Sequence, residues 1–104
     1  MSNLQSEFDQ LERDLQQLVA LLEEAGATFW SRMLSRGMSK IQARELAGAT
    51  YVLGCYGGID TFSDFTISAD QFDELQVRNL NARLNQLRTA TFESAQAIAA
   101  RRSW

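Results

Sequence analysis

Apolar residues Leu4, Phe8, Leu11, Leu15, Leu18, Leu22 and Ala25 recur at alternating spacings of four and three. That rhythm places them along one side of a helix of roughly 23 residues. Ser2 stands where its start would be capped, and Gly26 where a left-handed C-terminal residue is wanted. The same stripe is long enough to serve as a short coiled-coil seam, so packing within the chain and packing between chains both remain open. A second, shorter helix is predicted from Thr28 to Arg36, with Phe29, Trp30, Met33 and Leu34 as its apolar face and Gly37 as its end. Ser39 and Gln42 have the spacing of a capping box and open a third helix. Its face is Ile41, Leu46, Ala49, Thr50 and Leu53, and small residues Ala43, Ala47 and Gly48 would admit a close neighbour.

From about Asp70 the pattern turns helical again and meets no breaker. Phe72, Leu75, Leu80, Leu84, Leu87, Thr91, Ala95 and Ile98 trace the inner face, with Ser68 or Asp70 as cap. Continuous to Arg101, this helix would be about 48 Å long at 1.5 Å per residue. It outruns the first by about a third, so one end is expected to fray, bend or overhang. Between the third and last helices, residues 54–68 have a different character. Gly57-Gly58 permits backbone angles closed to other residues. Asp60, Ser63 and Asp64 suit a turn, while Tyr56, Ile59, Phe62, Phe65 and Ile67 would anchor it on the helices. The fold these elements predict is a single all-α domain over residues 1–104. It is a four-helix bundle of two long and two short helices, with an ordered Gly-Gly loop before the last. The first and last helices are expected to pack together along their leucine stripes.

Composition supports that picture: no proline interrupts the helices, and 45% of the chain is hydrophobic, enough for a core without staples. Charge changes it more. The net of −3 conceals blocks of alternating sign: −5 over residues 1–25, +3 over 27–50, −5 over 51–75 and +4 over 76–104. The plain reading is that oppositely charged helices lie side by side. The sharper one is that an acidic face meets a basic partner. An acidic chain without a basic, aromatic-rich strip is a poor nucleic-acid binder. A single cysteine, Cys55, excludes an internal disulfide, and neither a secretory signal nor a membrane-spanning run is visible. The expected location is cytoplasmic, with export lacking a cleaved signal left open.

The chemistry on offer is sparse. Histidine is absent, which removes the commonest general base and the usual zinc ligand together. No Walker lysine follows Gly57-Gly58. Asp60 and Asp64, with Asp70, Asp73 and Glu74 downstream, could in principle hold a divalent cation, but their spacing matches no calcium loop. Cys55 has no basic neighbour in sequence and reads as a small core residue. No catalytic residue, cofactor or metal is therefore assigned, and the chain reads as a binding module rather than an enzyme.

The stretch Tyr56-Gly57-Gly58-Ile59-Asp60-Thr61-Phe62-Ser63-Asp64 resembles a loop found in a family of small bacterial helical domains of uncharacterised function. The usual form of that loop is Gly-Gly-Met-Gly-Ser-Phe-Asn-Asp, preceded by an aromatic residue. Gly57, Gly58, Phe62 and Asp64 match it, whereas Ile59, Asp60, Thr61 and Ser63 depart from it. Trp30 upstream and the Asn81, Leu84, Leu87, Arg88 helix downstream are similar in layout. The likeness spans about residues 10–100. It implies a helical fold and, because such domains resemble proteins found near bacterial toxin systems, an immunity or antitoxin role without enzymatic activity. The expectation is a protein partner, in particular a basic toxin domain, met by Tyr56, Asp60, Phe62, Asp64, Asp70, Asp73 and Glu74. The alternative is a helical adaptor dimerising through the Leu4–Leu22 stripe; monomer and homodimer both stay open. A carboxylate-metal enzyme ranks last.

Overall fold

A computed structural model describes residues 3–57, 61–68, 70 and 72–102. Among these residues five α-helices follow in order: α1 Leu4–Glu24, α2 Thr28–Ser35, α3 Met38–Gln42, α4 Leu46–Gly54 and α5 Glu74–Arg102. A 3-10 turn, Phe62–Asp64, interrupts the connection between α4 and α5. The chain is an all-α bundle, with no strand among the described residues.

Helix α1 starts at Asn3, whose Oδ1 accepts the Ser6 amide at 2.8 Å. The expected cap, Ser2, lies outside the described residues. At the other end Gly26 takes φ 75°, which lets the Ala27 amide return to Leu22 O and its own to Glu23 O. This paired closure satisfies carbonyls the helix leaves open, and glycine adopts it without a Cβ clash.

The third expected helix is divided. Between α3 and α4 the chain turns at Arg44, in the left-handed region at φ 60°. There Glu45 N reaches Lys40 O and Arg44 N reaches Ile41 O, the same closure that ends α1. Nothing in the hydrophobic rhythm marks this break, because an arginine occupies the place a glycine usually takes. Its side chain explains the exception: the guanidinium meets Asp9 at 2.5 Å and Glu12 at 2.9 Å on α1, and also donates to Ile41 O. The Ser39–Gln42 capping box is not formed; α3 begins one residue earlier, behind Gly37, with no side-chain cap. Gly37 has an ordinary φ of −81°. Its need is space, since a Cβ there would stand 2.9 Å from the Tyr51 ring. Gly48 likewise lets α4 close on Ile41, as its small side suggested.

Helix α5 begins at Glu74, not near Ser68 or Asp70. Asp73 Oδ1 accepts the Gln76 amide at 2.7 Å while Gln76 Oε1 accepts the Asp73 amide at 2.9 Å. This reciprocal pair outcompetes the earlier polar residues as a helix start. The most extensive contact in the molecule is between α1 and α5, which run antiparallel. Arg83 pairs with Glu24 at one end and Arg101 with Glu7 at the other. Residues 74–82 therefore extend past the end of α1 by about 13 Å at 1.5 Å per residue, which is the expected overhang.

The core lies between these two helices and beneath α2–α4. Phe8, Leu11, Leu15, Leu18 and Leu22 are wholly buried against Leu84, Ala95 and Ile98 of α5 and against Leu34, Ile41, Ala49 and Val52. From Phe8 to Leu22 the α1 stripe is thus buried within one chain. Three large apolar residues expected in the core are on the surface, among them Leu4 at the very start of α1. Phe29 is 64% exposed, because it stands about 140° around the α2 axis from Leu34. Leu75 is 61% exposed, because it falls on the overhang where no helix faces it. No helix among the described residues is long and apolar enough to cross a membrane.

Candidate functional site

The segment before α5 is fixed by two polar side chains seven residues apart on that helix, hence on one face. Asn81 donates from Nδ2 to Ile67 O at 2.8 Å and accepts the Ile67 amide at Oδ1 at 2.7 Å. Its carboxamide makes the two bonds that a neighbouring strand would make. Two turns on, Arg88 Nη1 donates to Phe62 O at 2.8 Å and Phe65 O at 2.7 Å, while Nη2 donates to Asn85 Oδ1. The guanidinium carbon stands 5.6 Å from the centre of the Phe62 ring, so its charge faces an aromatic as well as two carbonyls. Tyr56 closes the arrangement by donating its hydroxyl to Arg88 O at 2.7 Å.

Phe62 is the hub of this loop and is 0% exposed. Its ring centre lies 5.2 Å from that of Trp30 and 5.4 Å from that of Tyr56, and Tyr56 in turn meets Phe92 at 5.1 Å. Aromatic rings offset or edge-on at these separations stabilise beyond the area they bury. Burial pushes the Tyr56 hydroxyl well above its ordinary value, with the nearby Arg88 charge acting the other way. Burial also lowers Arg88, against the opposing influence of Tyr56 and Asp64, yet an arginine stays charged at neutral pH. Cys55 is buried and its thiol raised by desolvation, away from the thiolate form that a nucleophile needs.

These facts divide the expected contact residues. Phe62 is fully buried and anchors the loop, out of reach of a partner, while Tyr56 spends its hydroxyl on Arg88 O and stays half-buried. Asp64, Asp70, Asp73 and Glu74 are exposed. Asp60 lies outside the described residues, as do Gly58 and Ile59. A shallow depression of about 390 Å³ opens beside the loop, lined by Tyr56, Ser63, Arg88, Thr89 and Phe92. Among the described residues no group of three or more histidine, cysteine or carboxylate side chains is placed to hold a metal ion.

The carboxylates sort into two sets. Five of the six on α1 are engaged internally: Glu7, Asp9, Glu12 and Glu24 pair with arginines, and Asp14, buried, accepts from Gln10 and from Ser94, while Glu23 is exposed. Among the described residues Asp70, Asp73 and Glu74 have no cation within ion-pair distance, although Asp73 caps α5. Most of the acidic charge of the first helix is therefore met within the chain, and the start of α5 carries exposed acidic side chains. The residues that hold this surface in place, Asn81 and Arg88, were marked in the sequence only by the likeness of their helix to a family pattern. Two polar residues seven apart on a leucine-rich face were the signal for them. No family model, curated protein or solved structure matches the chain, so its function is read from this geometry.

Proposed function

We propose that the chain is a protein-binding module of immunity or antitoxin type, which neutralises a basic toxin domain by holding it against the 3-10 turn and the start of α5. One observation carries this reading. Four carboxylates of α1 pair with the bundle's own arginines, whereas Asp70, Asp73 and Glu74 form an exposed acidic surface at the start of α5, next to a loop held by Asn81 and Arg88. A pre-formed surface binds without the cost of ordering itself, and its charge speeds encounter with a basic partner. The resemblance of the loop to immunity-like domains supports the same class of partner. Co-expression with the product of the adjacent open reading frame tests it: the two proteins should co-purify and growth should be rescued. The double variant Asp70→Lys, Glu74→Lys, which spares the Asp73 cap, should lose rescue while melting near the parent temperature. Absence of both complex and rescue would remove the reading.

A further inference from the structure

The basic residues sort as the acidic ones do. Arg44, Arg83 and Arg101 pair with α1, and Arg88 holds the loop. Arg32, Arg36 and Lys40 are exposed and have no carboxylate within ion-pair distance among the described residues, although Glu23 lines the same depression as Arg32 and Arg36. On α2, Phe29, Arg32 and Arg36 fall within about 60° of arc. The most exposed large apolar side chain, Phe29, therefore shares a face with two cations. The second such side chain, Leu75, stands beside Asp73 and Glu74, with Arg78 the one exposed cation on that turn. The two faces match in kind: an apolar knob with positive charge, and an apolar knob with negative charge. Both lie at the end of the bundle where α1 finishes, since α2 starts just after Glu24 and the overhang of α5 passes the same point through the Arg83–Glu24 pair.

We propose that a second copy of this chain occupies these faces, as a two-fold dimer in which the Phe29, Arg32, Arg36 face of each subunit receives the Asp73, Glu74, Leu75 face of the other. Two faces of opposite sign at one end of one molecule allow both contacts to form at once about a single axis, the commonest symmetry of protein dimers. Self-pairing of either face alone would set like charges together. The contact is separate from the α1 stripe, which is buried in the core, and it requires no toxin. Where a toxin does bind the start of α5, dimer and complex compete for Asp73 and Glu74.

Sedimentation equilibrium on the full chain tests this, at low salt and at about 0.5 M salt, where charges are screened beyond a few ångströms. The expected result is a monomer–dimer equilibrium weakened at least about tenfold by high salt. Arg32→Glu with Arg36→Glu should be monomeric, and so should Asp73→Lys with Glu74→Lys. Mixed in equal amounts, the two double variants should associate one to one, because each lacks only the face the other keeps. Phe29→Ser, which removes no core contact, should weaken the dimer about tenfold or more. A wild-type monomer at submillimolar concentration overturns the proposal, and so does a dimer that either double variant leaves intact. A mixture that stays monomeric overturns the pairing.

Discussion

Thr91 lies on the inner face of α5 with no exposure, and its hydroxyl is buried without a hydrogen-bond partner among the described residues. A buried hydroxyl left unpaired loses its water and gains nothing in return. Thr91→Val, which keeps the branched shape, should stabilise the domain by about 1 kcal/mol, seen as a higher melting temperature; a lower one would show that Thr91 is bonded after all. Tyr56 makes the opposite case. Its folded-state value is raised, so the neutral form is favoured and its contribution is complete below about pH 10. Above that, the unfolded chain ionises first and stability falls by about 1.4 kcal/mol per pH unit until the folded value is reached. Tyr56→Phe should cost about 1 kcal/mol at neutral pH through the lost bond to Arg88 O. That deficit should close between about pH 10 and pH 11, because the variant has nothing to ionise. Denaturant melts of both proteins across that interval would show it.

At the level of elements, the break between α3 and α4 is the feature most open to test. Arg44 holds a left-handed conformation while bonding Asp9 and Glu12. Arg44→Gly relieves the conformation and loses the ion pairs, whereas Arg44→Ala loses the ion pairs and keeps the strain. The glycine variant should melt higher than the alanine variant; the reverse order would mean that the turn is not left-handed. The same site shows where reading the sequence stopped. Strong periodicity in α1 and α5 gave both helices, their pairing and the Gly26 cap, because a buried leucine stripe leaves little choice of face. The break at Arg44 was hidden because it depends on carboxylates more than thirty residues earlier. Phe29 was misplaced because Trp30, Ser31 and Leu34 decide which side of α2 turns inward. In the candidate site, the exposed carboxylates were legible from composition. The inward turn of Phe62 and Tyr56 was not, since aromatic residues suit an anchor and a contact equally well.

Across the whole molecule, two long helices are held antiparallel by packing, with charge choosing the register. The Glu24–Arg83 pair is half exposed on both sides, and such pairs contribute about 0–1 kcal/mol. Glu24→Gln together with Arg83→Gln should therefore change unfolding free energy by less than about 1 kcal/mol. Leu18→Ala, at the centre of the core, should cost about 2–5 kcal/mol. Chemical denaturation of both variants would rank them, and equal losses would mean that the charges carry more than orientation.

The carboxamide of Asn81 has a consequence for the fate of the chain at high concentration. By occupying both backbone groups of Ile67, it leaves this stretch of extended chain no free edge at that residue on which a foreign strand could build. A helix side chain thus acts as a lid over a short template for aggregation. Replacing it with alanine would leave the bundle folded but uncover hydrophobic chain of the kind from which fibres grow.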